Sequence, residues 1–418
     1  RYMFFEEDKI GEDPVMYLGA DSMGLVYTAP QYLANQVLDL CCGSGVQGLV
    51  ASRYAEQVTS VDINPRAVRF SRFNAQLNGI LNINIHLGGL YEPVAQRTFD
   101  TILANPPFVP SPNTALRFRD GGHTGEDILA DIIKGSDSHL TQNGRLFIVT
   151  DLVNVPTYQA KLSNWWQGGS VDQLVLCTAD RDEMLFSVPH SHAPFGQSYA
   201  DYTAELNSWL TNFQSAKLEA VNFGYILIQK AAHAMASSYY TRTIHNPTQS
   251  IHEQVKDYFW QRELLRGQTY LTRYLLLNPD LQFRIEETLS GDTNTVEVFS
   301  PENPYFTTYQ INADIHRLLK EINYQRPQWR QIATPSNQDW IEELLHKGIL
   351  MLKSRPIEVF SKPTADSHQN ALAMSNSASD QLASESGNPS TNGVSSGSAI
   401  VELRTKTTPT CLSADLAQ

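Results

Sequence analysis

Val37-Leu38-Asp39-Leu40-Cys41-Cys42-Gly43-Ser44-Gly45 is a short apolar run that ends in a glycine-rich turn, and residues 46–55 after it read as a helix. Glycines at such a turn let the backbone approach a ligand closely, and the start of the following helix favours a carboxylate or phosphate. Val58-Thr59-Ser60-Val61-Asp62 is a β-branched strand, and Asn64-Pro65 opens a second helix over 65–77 with proline in its first turn. Further out, strand-like runs cover 82–87, 99–104, 145–152, 171–178 and 221–230, with a helix over 126–140. Strands alternating with helices imply a mostly parallel α/β sheet, here of seven strands, with helices on both faces. Ligands on such sheets sit outside the carboxyl ends of the strands.

The chemistry-bearing residues fall at those ends. Asp62 closes the second strand 23 residues after Asp39, where a carboxylate can accept both hydroxyls of a ribose. Gly43-Ser44-Gly45-Val46-Gln47-Gly48 also satisfies the G-x-G-x-x-G pattern of dinucleotide sites, so an NAD-dependent dehydrogenase is an alternative at this point. Ala104-Asn105-Pro106-Pro107-Phe108 closes the fourth strand. The Asn105 side-chain oxygen and the Pro106 carbonyl can each accept a hydrogen bond from a planar NH2 group. Those bonds stabilise the positive charge that develops as nitrogen attacks a methyl group. Pro106-Pro107 holds the backbone with its carbonyls aimed, and Phe108 offers a stacking face.

Three stretches together resemble the class I S-adenosylmethionine-dependent methyltransferases. They are Asp39 to Gly45, Val61-Asp62-Ile63-Asn64-Pro65-Arg66-Ala67, and Leu90-Tyr91-Glu92-Pro93-Val94 followed by Phe99-Asp100 and Asn105 to Phe108. Within that class the chain is similar to the small-domain N-methyltransferases, which include release-factor glutamine and RNA-base N-methyltransferases. The resemblance covers about residues 15–230 and implies a Rossmann-like sheet with S-adenosyl-L-methionine as cofactor. It implies that Cys41, Cys42, Gly43 and Gly45 hold the methionine end of the cofactor, with Asp39 near its ammonium. Asp62 would bind the ribose, Ile63 would pack on the adenine, and Gly89 and Leu90 would meet the adenine amine. Asn105, Pro106, Pro107 and Phe108 would hold the target nitrogen. Cys41 stands where glycine is commonest, and Gly89 where an Asp is often found. Leu18-Gly19-Ala20-Asp21-Ser22 lies where related chains place a cofactor-capping segment. Arg117 and Arg119, shortly after the motif, are candidate substrate contacts.

Composition sets the frame. The chain has 418 residues, with 31 Lys+Arg against 44 Asp+Glu, a formal net charge of −13. Residues 1–230 carry 15 basic and 24 acidic residues, a balance of −9, so affinity for nucleic acid would have to come from a local patch such as Arg66, Arg69, Arg72, Arg117 and Arg119. Four cysteines and no C-x-x-C pair fit a reducing, cytoplasmic protein, and no run is long enough for a membrane span. No metal site is expected: His190 and His192 lack a cysteine or carboxylate at ligand spacing and read as a surface loop. Trp165-Trp166 and Tyr239-Tyr240 read as core.

Four regions follow. An N-terminal capping segment spans 1–36, truncated if the natural start precedes Arg1, and the methyltransferase domain spans 37–230. A small α+β accessory domain spans 231–360, with helices over 250–266, 312–322 and 339–347 and a strand over 348–353. Residues 361–418 contain no Phe, Trp or Tyr, and 18 of the 58 are Ser or Thr; this composition predicts a disordered tail. The function expected from these residues is transfer of a methyl group to a planar amino nitrogen of a macromolecule, an RNA base slightly ahead of a protein glutamine. A scaffold that keeps the fold without the reaction is a further alternative, against which the intact Asn105-to-Phe108 motif argues.

Overall fold

The computed structural model describes residues 2–5, 14–114, 116–191, 198–231, 236–267, 269–287, 293–355 and 399–402. Its first half runs β1 (Tyr2–Phe5), α1 (Ala20–Thr28), β2 (Ala34–Leu40), α2 (Val46–Ala51), β3 (Ala55–Asp62), α3 (Pro65–Leu77), β4 (Ile83–Leu87) and β5 (Phe99–Ala104). There follow α4 (Asp127–His139), β6 (Leu140–Val153), α5 (Tyr158–Trp165), β7 (Val171–Arg181), α6 (Glu183–His190), α7 (Tyr199–Ser215), β8 (Val221–Lys230) and β9 (Ser238–Thr243). The C-terminal part holds α8 (His252–Arg266), β10 (Tyr274–Leu277), β11 (Gln282–Glu287), β12 (Thr293–Phe299) and β13 (Tyr309–Ile311). It ends with α9 (Ala313–Gln325), α10 (Trp329–Ile332), α11 (Gln338–His346), β14 (Leu350–Lys353) and β15 (Ala399–Glu402).

The main sheet has the order β4-β3-β2-β5-β6-β8-β7-β9, parallel except for β8, which is antiparallel to both β6 and β7. It holds eight strands rather than the expected seven. The extra strand is β9, beyond residue 230, pairing parallel with β7 through Asp172↔Ser238 to Cys177↔Thr243. Its β-branched and aromatic content suits a strand. Of the Tyr239-Tyr240 pair that it carries, both side chains are half-buried against the core.

Alternation along the central strands explains the layers. Val37, Leu103 and Phe147 join one apolar cluster, whereas Leu38, Ile102 and Leu146 join a second on the other face. Successive side chains on a strand point to opposite faces, so a strand covered on both sides must be apolar nearly throughout. Asp39 breaks that rule, and its burial makes it a feature to explain. The chain reverses direction across the sheet between β2 and β5, which creates the crevice where open α/β sheets hold ligands.

The C-terminal part is α+β as expected, with the two-stranded sheet β10-β14 and the three-stranded sheet β11-β12-β13. Leu275, Ile341, Leu344 and Leu350 belong to the same buried cluster as Phe147 and Leu174, so this part shares one core with a face of the main sheet. In the segment expected to be a tail, Ala399–Glu402 form β15, antiparallel to β1; the other residues of 361–418 lie outside the described ones.

A buried charge cluster joins the two parts. Asp172 on β7 is 1% exposed; it accepts hydrogen bonds from both terminal nitrogens of Arg266 on α8 and from the Ser238 hydroxyl on β9. Removing one partner of a buried pair strands the other charge, at a cost of about 3 kcal/mol or more. Arg266→Ala is therefore expected to lower unfolding free energy by about 3 kcal/mol in urea denaturation, and pairing Arg266→Met with Asp172→Asn to recover most of the loss.

Candidate functional site

The carboxyl ends of β2, β3, β4 and β5 surround a cavity of about 450 Å³. Its wall includes Cys41, Cys42, Gly43, Asp62 and Ile63, and on the opposite side Gly89 and Leu90. Asn105, Pro107 and Arg117 also reach it. A second cavity of about 600 Å³ adjoins it, walled by Phe108, Arg119, Asp151, Arg181 and His190. Asn105, Tyr17 and Phe118 line both, so the two spaces meet at Asn105.

The glycine-rich turn is built from the backbone outward. Cys41 has φ 55° and Gly43 φ 54°, the left-handed region that glycine enters without a Cβ penalty. The Gly43 N–H donates to Asp62 Oδ2 at 2.8 Å, and the Asn64 N–H donates to Asp62 Oδ1 at 2.8 Å. One carboxylate thus ties the turn after β2 to the start of α3. A carboxylate at a strand's carboxyl end is the type of acceptor that ribose hydroxyls would meet. A Cβ built on Gly43 would find no protein atom within 4 Å, so a side chain there would project into open space.

Three residues expected at the site stand on neither cavity wall. Asp39 is fully buried; its Oδ2 accepts from the Gly48 N–H at 2.8 Å and the Ser60 hydroxyl at 3.4 Å. It braces α2 against β3 from behind the turn, and burial pushes its carboxyl up to about 7 despite the Gly48 bond. Gly45 caps α2 at φ 90°, hard against Ser71. Pro106 is buried behind Asn105, and its carbonyl takes no hydrogen bond from a described residue. Arg117 and Arg119 part company: Arg117 lines the first cavity, while Arg119 lines the second, pairs with Asp120 at 2.6 Å and lies over the Trp209 ring at 5.1 Å.

Asn105 is oriented from α1. Its Nδ2 donates to Ser22 Oγ at 3.2 Å, and its side chain also bonds the Asp21 carboxylate. The Ser22 carbonyl in turn accepts from Gln47 Nε2 at 2.8 Å. With the amide nitrogen committed to α1, Oδ1 is the end left for a ligand. The segment expected to cap the cofactor is thus a helix whose first turn sets the motif's orientation.

Two residues of the second cavity, Asp151 and Arg181, escape a reading of sequence, and two more stand there in other settings than expected: Asp21 from the capping segment and His190 from what read as a surface loop. Asp151 and Arg181 are charged residues near the carboxyl ends of their strands, the signal that could have found them. Asp151 is 1% exposed and paired with Arg181, yet burial pushes its carboxyl up to about 6. Burial raises Asp21 as well, opposed by hydrogen bonds from the Ser22 backbone and Asn105. His190 ends α6 rather than lying in a loop; burial pushes its imidazole down to about 4, and its ring stacks on Trp209 at 5.2 Å. His192 lies outside the described residues.

Comparison with known proteins identifies the family. Residues 20–165 match the methyltransferase small domain. The release factor glutamine methyltransferase of Thermodesulfovibrio yellowstonii is 29% identical over 127 residues, 27% of this chain and 46% of its own. A Methanocaldococcus jannaschii protein, named for a suggested protein N5-glutamine methyltransferase activity, is 33% identical over 144 residues, 32% of this chain and 72% of its own. The ribosomal RNA small subunit methyltransferase C of Erwinia tasmaniensis is 30% identical over 159 residues, 35% of this chain and 43% of its own. The chain thus spans less than half the length of the first and third of these relatives. It belongs to the methyltransferase small-domain family, whose cofactor is S-adenosyl-L-methionine, and the dehydrogenase reading falls.

Two measurements probe the cradle. Gly43→Ala should fold at a cost of about 1 kcal/mol for its left-handed backbone, while calorimetric titration shows S-adenosylhomocysteine binding weakened about tenfold or more, about 1.4 kcal/mol. Asp39 binds its proton more tightly folded than unfolded, so its contribution is complete near pH 4 and is lost as pH rises toward about 7. Asp39→Asn should flatten that fall in stability by up to about 1.4 kcal/mol per pH unit, measured by urea denaturation from pH 4 to 8.

Proposed function

We propose that this protein transfers a methyl group from S-adenosyl-L-methionine to a planar amino nitrogen of a macromolecule in the cytoplasm, with an RNA base the favoured acceptor. The observation that carries the reading is the position and orientation of Asn105. It stands where the two cavities meet, its Nδ2 held by Ser22 and its Oδ1 left as an acceptor. The cofactor, when bound, supplies a methyl group activated by a sulfonium.

The chain's own residues hold the nucleophile. Asn105 Oδ1, where the two cavities meet, accepts an N–H of the target, drawing the nitrogen lone pair toward the first cavity; Pro106, on neither wall, holds the backbone behind it. That bond strengthens as the nitrogen turns positive, which is the requirement for lowering a barrier rather than only binding. The nitrogen becomes acidic once alkylated, so loss of its proton needs no strong base. Phe108 stands at the wall of the second cavity with Phe223 at 6.4 Å and 55°, giving a planar group an aromatic surface.

The aromatic wall and the size of the second cavity, about 600 Å³, favour a base over a slim side chain. A protein glutamine is the second reading, favoured by the balance of −9 over residues 1–230 and by the pairing of Arg119 and Arg181 with Asp120 and Asp151. Cell lysate supplied with methyl-labelled S-adenosylmethionine should acquire label that nuclease removes and protease does not; the opposite result selects the glutamine. Asn105→Ala should lower turnover about 100-fold or more while binding S-adenosylhomocysteine within a few-fold of the native protein. Normal labelling by that variant would remove the role given to Asn105.

A further inference from the structure

Asn105 Oδ1 accepts one hydrogen of the target nitrogen, and Pro106 stands on neither wall, so any further acceptor in the second cavity comes from another residue. Among the described residues of that wall the carboxylates are engaged. Asp151 pairs with Arg181, and Asp21 is bonded by the Asn105 side chain and the Ser22 backbone. His190, half-buried on the same wall, differs. Its Nδ1 lies 2.6 Å from the Phe186 carbonyl oxygen, which can only accept, so Nδ1 carries the hydrogen. In a neutral imidazole that leaves a lone pair on Nε2. Nε2 has no hydrogen-bond partner among the described residues, and it is not one of the unpaired atoms sealed from water.

The ring is held from two helices. Its centre lies 4.4 Å from that of Phe186 on α6 and 5.2 Å from that of Trp209 on α7. Each of those aromatics also carries a guanidinium: Arg181 lies 5.3 Å from the centre of Phe186, and Arg119 lies 5.1 Å from that of Trp209. Burial is the main cause that keeps the imidazole unprotonated, and the two arginines act in the same direction. The Phe186 bond and Asp120 oppose them. A proton on Nε2 would thus be placed among cations, whereas a lone pair there is open to a donor.

We propose that His190 is a specificity-determining residue of the second cavity, its Nε2 accepting a hydrogen bond from an N–H or O–H of the methyl acceptor. A bond of this kind is made before transfer and kept through it, so it acts chiefly on binding. It selects molecules that bring a donor to that edge. It disfavours those that bring a lone pair, because two acceptors would then be left facing each other. The inference rests on the reading of the second cavity as the place of the methyl acceptor.

Two measurements on the full chain test it. With nitrogen-15 histidine labelling, the imidazole resonances lost in His190→Phe should report a hydrogen on Nδ1 and a bare Nε2 near neutral pH. A hydrogen on Nε2 would overturn the proposal with no acceptor present. The second measurement follows initial rates of methyl-label transfer from S-adenosylmethionine against serial dilutions of one cell lysate. His190→Phe keeps an aromatic ring beside Phe186 and Trp209 but has no lone pair. It should need about tenfold more lysate for half its maximal rate, a larger change than in the maximal rate itself. His190→Gln, which restores an acceptor, should recover part of that loss, and both variants should bind S-adenosylhomocysteine as the native protein does. Should His190→Phe not fold, His190→Gln and His190→Met carry the comparison. Equal half-saturation by native protein and His190→Phe would overturn the proposal and leave the role of Asn105 standing. Normal labelling by Asn105→Ala would instead remove the reading beneath it.

Discussion

An amide side chain presents a donor at one end and an acceptor at the other, and a methyl-transfer site can use only the acceptor. The 3.2 Å bond from Asn105 Nδ2 to Ser22 Oγ decides which end faces the cavities. That bond joins the residue just after β5 to α1, and α1 is itself held by the bond from Gln47 on α2 to the Ser22 carbonyl. The orientation of the motif thus depends on three elements that the fold brings together from 83 residues apart and less. A free asparagine could turn over at modest cost; one whose donors are occupied by a buried helix cannot do so without stranding them.

The glycine-rich turn rests on a comparable economy of carboxylates. Asp62 gathers the turn and α3 through two backbone N–H groups, whereas Asp39, one strand away, never reaches the cavity. Their difference follows from burial. Asp39 lies inside a strand covered on both faces, so its remaining oxygen has no partner among the described residues and its proton is held up to about 7. Asp62 sits at the strand end, where half-exposure lets the same functional group meet a ligand. Two acids that read alike in sequence are separated by one strand's depth.

That contrast marks how much was legible beforehand. Apolar patterning and the Asn64-Pro65 start placed α3 and β5 to the residue and the carboxyl ends of β2 and β3, whose first three residues were missed because they are more polar and lie outside the central burial. Helix 46–55 came out shorter, as Val46–Ala51, because β3 already begins at Ala55 and its pairing with β2 outweighs helix continuation. The eighth strand and the acids of the second cavity were not legible. β9 is half polar, and its place depends on pairing with β7 across more than sixty residues. Asp21, Asp151 and Arg181 carry no motif; they become a cluster only when α1, β6 and β7 converge.

The strand ends also explain how one sheet serves two kinds of cavity. On β7 and β8, Arg181 and Phe223 line the second cavity, while their neighbours Asp180 and Asn222 line another, at the end of β9. Adjacent residues on a strand point to opposite faces, so these cavities share a common edge but not a common wall. Adding β9 past β7 extends that edge and brings Arg242 with it. Arg242 lies in the same row as Leu176 and Tyr225, so its side chain points to the same face of the sheet as Phe223.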